Sequence, residues 1–150
     1  MLDFPRLAFL LGACMLVASL PAPAHKGASG ILKERMDAME TIAEAMKAIH
    51  RRIAGNRDLA GITPEAARIV ALAQRMPQWF PPGSNMSPSE ALPTIWQRWP
   101  EFQAGAARLE REAGLLAAAA LAGDPKSIAV QYRAVGEICN DCHRQFRAKR

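Results

Sequence analysis

Aromatic side chains are scarce here, at 6% of 150 residues, and they are not interleaved with a basic tract. A nucleic-acid groove needs both, so nucleic acid is not an expected partner. No carboxylate pair, nucleophile–base pair or phosphate-cradling glycine loop stands out, so no enzyme class is indicated. The apolar run at residues 7–20 is too short to span a bilayer. After residue 24 only two cysteines and three histidines remain, with no second C-x-x-C, which leaves a four-ligand structural zinc site poorly supplied. No internal repeat or low-complexity tract is present.

What the chain does have is alanine, leucine and other apolar residues, half the total, the profile of one helical domain. The formal charge is +5 with histidine neutral, which suits an acidic partner or a solvated surface. Residues 1–24 form a leader: Arg6, then the apolar run, then Ala22-Pro23-Ala24 as a small-x-small cleavage site. The mature domain is expected at 25–150, starting at His25 and exported to the periplasm. The competing parse, Leu11-Gly12-Ala13-Cys14, resembles a lipoprotein box and would anchor the chain through a lipid on Cys14.

Four helices are predicted. The first spans 29–54, with Leu32, Arg35, Met36, Met39, Ile42, Ala43, Met46, Ile49 and Ile53 at steps of three and four, ended by Gly55-Asn56. The second opens at Thr63-Pro64-Glu65, capped by Thr63, with Ile69, Leu72, Ala73 and Met76 inward, and Pro77 stops it. A long proline-rich connection follows, whose aromatics cover one end of the core; Ser87-Pro88-Ser89-Glu90 has capping-box spacing and predicts a helical turn. The third helix spans 100–121, with Phe102, Ala106, Leu109, Ala113, Leu116 and Ala120 as a bundle seam. Gly123 ends it, and Asp124-Pro125 opens the fourth, whose stripe is Ile128, Tyr132, Val135, Cys139, Cys142 and Phe146. The fold class is therefore all-α, an antiparallel four-helix bundle.

The stretch with chemistry is Cys139-Asn140-Asp141-Cys142-His143. C-x-x-C-H is the attachment signature of a c-type haem: two thiols add to two vinyl groups, and the next imidazole can reach the iron. On a helix the two cysteines are three apart and His143 is four from Cys139, so all three share a face. A thioredoxin-like dithiol would need a strand before the motif, where this chain has a helix. A haem-free metal or dithiol bundle is the remote alternative. Export fits haem attachment, and thioether bonds would keep the cysteines from pairing in an oxidising compartment.

With these residues the chain resembles the cytochrome c′ family. The resemblance rests on the C-terminal placement of the motif and on Phe146-Arg147 after it. It rests also on Lys33-Glu34-Arg35 followed by Met39, on 79–84 (Trp-Phe-Pro-Pro-Gly-Ser), and on Ile95-Trp96 with Phe102. It implies one covalent haem c, with thioethers at Cys139 and Cys142 and His143 as proximal ligand. It also implies Arg147 beside the proximal face, Arg35 near a propionate and Met39 over the distal face. Two functions follow from it. With Met39 on the iron, the protein is an electron carrier serving redox partner proteins. With an open distal position, it binds nitric oxide or carbon monoxide. Members of the family are often homodimers.

Overall fold

The computed structural model describes residues 28–149. The leader, its lipid-box parse at Cys14, His25 and Arg150 lie outside the described residues. In chain order the helices are α1 (Gly30–Gly55), α2 (Ile62–Arg75), the single turn α3 (Thr94–Gln97), α4 (Trp99–Leu121) and α5 (Pro125–Phe146). Among the described residues there is no strand, only an isolated antiparallel bridge between Ala91 and Arg147.

Most helix ends obey local chemistry. Asn56 takes the left-handed conformation that closes α1, and its N–H returns to the carbonyls of Arg52 and Ile53. Asp124 accepts from the Lys126 N–H at 3.0 Å, and Pro125 occupies the first turn of α5. Two expectations are corrected. Thr63 does not cap α2; the helix starts at Ile62, out of a 3-10 turn over Leu59–Gly61 that Asp58 caps by accepting from Gly61 N–H. The Thr63 hydroxyl is buried without a hydrogen-bond partner. Nor does 87–90 open a helix. The Glu90 carboxylate, expected as its reciprocal cap, accepts from Arg147 instead, and the neighbouring Ser89 Oγ accepts from Arg35. The helical turn comes later, as α3.

The seam of α4 is buried as expected, from Phe102 through Ala106, Leu109, Ala113 and Leu116 to Ala120. On α1 the buried arc is rotated from the expected one. Ala38, Ala45 and Ala48 are inside, whereas Ala43 is exposed and Met39 and Met46 are half-buried. Alanine carries too little side chain to mark a face by hydrophobicity, so periodicity followed the larger methionines. On α5, Ile138 joins Ile128, Val135 and Phe146 in the core, and Tyr132, Cys139 and Cys142 flank that line half-buried.

The packing order is α1 on α2, α2 on α4 and α4 on α5; α1 and α5 scarcely touch. Contacts at one end establish the antiparallel arrangement. Arg35, near the start of α1, reaches the Trp79 carbonyl after α2, and Phe80 packs edge-on against Phe102 at the start of α4 with centroids 4.7 Å apart. Phe102 in turn meets Phe146, at the end of α5, at 5.5 Å. Trp79 and Phe80 are buried there, and Trp96 donates its indole N–H to the Phe80 carbonyl. The connection's aromatics thus floor one end of the bundle, and that end carries the C-x-x-C-H motif.

Candidate haem-attachment site

Cys139 and Cys142 are free thiols, half-buried on α5 and packed against the core. Burial pushes both thiols up, Cys142 to about 11; the neighbouring Cys139 adds to this and Arg108 opposes it. Neither is an exposed, acidic thiol of the redox-exchange kind. His143 is more exposed than either cysteine. Burial of part of its ring, then the nearby Arg147 cation, lowers its pKa, while Glu90 acts the other way. The balance favours a neutral imidazole, which has the lone pair a metal needs.

Small residues leave space on the faces near the motif. A Cβ added at Gly136, one turn before Cys139, would meet no atom within 4 Å. The same holds at Gly105 on α4, which is buried and lies one turn before Arg108, the residue whose charge reaches Cys142. Paired half-buried thiols, an adjacent neutral imidazole, room at the glycines and two helices that scarcely touch fit a flat macrocycle held from one side. Among the described residues, no three His, Cys, Asp or Glu side chains form a group that could hold a metal ion. No helix of the described residues is long and apolar enough to cross a membrane.

The flanking residues are placed as follows. Met39 is half-buried at the margin of the core on α1. Arg35, one turn earlier, is 4% exposed. Its Nε donates to the Trp79 carbonyl, its Nη1 to Ser89 Oγ and its Nη2 to the Ser84 carbonyl, each at 2.9 Å, and Nη2 also reaches Ser84 Oγ. The Phe80 ring lies 4.2 Å from the guanidinium carbon. Burial lowers the pKa of Arg35, and this dense set of acceptors compensates for its desolvation. The propionate expected at Arg35 would share a guanidinium already engaged by the connection. Arg147 donates from Nε to Glu90 at 2.7 Å. No sequence pattern marks Ser84, Ser89 or Glu90 as site residues. The polar cluster at 87–90 was the available signal, but a capping pattern and a tertiary docking pattern use the same residue types.

An attachment motif on the last helix of a four-helix bundle, with a methionine-bearing first helix beside it, defines a c-type cytochrome of helical-bundle architecture. Comparison with known proteins narrows this. The family profile described as Cytochrome C' matches residues 30–147. Cytochrome c′ of Pararhodospirillum photometricum is 32% identical over 115 residues, covering 75% of this chain and 92% of that protein. Cytochrome c-556 of Agrobacterium tumefaciens is 31% identical over 124 residues, 81% of this chain and 100% of its own. Among solved structures, a nitric oxide complex of a cytochrome c prime mutant from Alcaligenes xylosoxidans gives a TM-score of 0.72 at 25% identity, covering 80% of this chain and 94% of that one. The chain belongs to the cytochrome c′ family, whose members carry one covalent haem c.

Proposed function

We propose that this protein is a periplasmic electron carrier, in which Cys139 and Cys142 would hold haem c covalently and His143 and Met39 would be its iron ligands. When bound, the haem supplies a one-electron iron couple. The chain's own residues do the rest. The two thiols tether the group to α5, and the depressed pKa of His143 keeps its imidazole available as a ligand at neutral pH. Arg147 brings positive charge one turn beyond His143, and the aromatic floor of Trp79, Phe80, Phe102 and Phe146 limits water at that end. The observation that carries the reading is the placement of Met39. Met39 packs half-buried against the core beside the buried Ala38 and Ile42, as Met46 does further along α1; what singles it out is its place one turn after Arg35, at the end that carries Cys139, Cys142 and His143. A thioether is a soft, neutral donor that favours reduced iron and raises the potential, as electron transfer requires.

The second reading is a five-coordinate gas binder, favoured by the similarity to a protein solved with nitric oxide. The ferrous optical spectrum with and without carbon monoxide separates the two. Low-spin bands that resist carbon monoxide support ligation by Met39; high-spin bands that shift at once with carbon monoxide defeat it. Met39→Ala sharpens the test, since under the first reading the iron becomes high-spin and open, and under the second the resting spectrum barely moves.

A further inference from the structure

We propose that residues 84–90 form a strap setting the separation of α1 and α5 at the motif-bearing end, with Glu90 as its positioning residue. The proposal rests on the His143/Met39 reading and adds to it the device that holds the two walls in register.

α1 and α5 make few direct contacts, among them His50 beside Tyr132 toward the other end, so links at the motif-bearing end add to the spacing that α2 and α4 set. The strap is attached to both. On the α1 side Arg35 donates to Ser84 and to Ser89 Oγ, and its Nε anchors on Trp79 just before the strap begins. On the α5 side Arg147 donates to Glu90, and the backbone pairs as well: Ala148 N–H to Glu90 O at 2.9 Å and Leu92 N–H to Phe146 O at 3.0 Å. Thr94 Oγ1 adds a bond to the Gln145 carbonyl at 3.0 Å. Ser89 and Glu90 are consecutive, so a single peptide unit joins the guanidinium of Arg35 to that of Arg147. Each arginine lies four residues, one helical turn, from a candidate ligand: Arg35 before Met39, Arg147 after His143. The strap therefore fixes α1 and α5 one turn away from where the two ligands must approach one another. Loosening it lets the walls part and raises the population with Met39 off the iron.

The test uses the haem-loaded protein and four substitutions: Glu90→Gln, Ser89→Ala, Met39→Ala, and Leu116→Ala in the core at the opposite end. The readouts are the low-spin fraction of the ferrous spectrum and the rate of carbon monoxide association. Glu90→Gln removes one charge-assisted attachment and is expected to speed carbon monoxide association about tenfold. Ser89→Ala moves it the same way by less, and supplies the answer if Glu90→Gln does not fold. Leu116→Ala destabilises the bundle without touching the strap and leaves the rate within about twofold of wild type. The proposal is overturned if neither strap substitution changes the rate, or if Leu116→Ala changes it equally. If Met39→Ala opens the iron and the strap substitutions do not, the ligation reading stands and the strap fails. If Met39→Ala leaves the spectrum unchanged, the ligation reading fails and takes the strap's effect on the rate with it.

Discussion

The two ends of the bundle are built differently. At the end bearing the α1–α2 and α4–α5 turns, Ile49, Ile62, Leu116 and Ile128 are fully buried, and interlocking aliphatic side chains hold all four long helices. At the other end the core is aromatic, a guanidinium is buried with its hydrogen bonds satisfied, and Met39, Cys139 and Cys142 stay only half-buried. The first end is held by aliphatic burial, beside which Met46, Lys47, His50, Arg51 and Tyr132 line an open cleft. The second leaves apolar surface and donor atoms available and holds its helices with a hydrogen-bonded connection. A bundle can thus be closed at one end by burial and kept receptive at the other by a polar clamp.

Substitutions at each end test that contrast. The largest effect is expected from Cys139→Ala with Cys142→Ala, which removes both thioether positions; a denaturing gel stained for haem, or the pyridine haemochrome band, should show complete loss of covalent haem. Next, Leu116→Ala should cost about 3 kcal/mol in denaturant unfolding through lost burial and a residual cavity, yet leave the ferrous spectrum unchanged. Arg35→Met should cost about 2 kcal/mol, because the Trp79 carbonyl and the Ser84 and Ser89 groups lose a shared donor. Unlike Leu116→Ala, it should also disturb the spectrum; if both substitutions cost stability and neither alters the spectrum, the contrast between the ends collapses. The smallest effect should come from Asp124→Ala at the α4–α5 turn, a slight fall in Tm. Hydrogen bonds from the Ser127 hydroxyl and from the Ser127 and Lys126 amides hold the Asp124 carboxyl below its ordinary range. Its folded-state pKa is depressed, so its contribution is present above about pH 4 and is lost as pH falls through the lowered value. The difference in Tm between wild type and Asp124→Ala should therefore shrink on acidification.

Much of this was legible in the residues because it is local. The α4 seam recurs at steps of four and three with Phe and Leu at its large positions, and the turns at Gly55-Asn56 and Gly123-Asp124-Pro125 use residues whose backbone preferences dictate the chain's path. The attachment motif was legible for the same reason, since spacing within one helical turn settles which side chains share a face. Where the sequence misled, a distant partner outweighed a local preference. Ser87 and Glu90 look like a helix start, yet the Glu90 carboxylate bonds to Arg147 and the neighbouring Ser89 to Arg35, over fifty residues away in each case. Thr63 is the exception, a local contest: it looks like a cap, yet Asp58, five residues earlier, caps the preceding turn first.

Four long helices, the turns between them and the stretch carrying the attachment motif are readable from the residues alone, because periodicity, capping and short-range spacing operate within a few residues. That α1 and α5 stand apart, that Arg35 is engaged by the connection, and that Ser89 and Glu90 link the turn before Met39 to the turn after His143 follow from the three-dimensional packing. Those features depend on contacts between residues far apart along the chain, which no local pattern encodes.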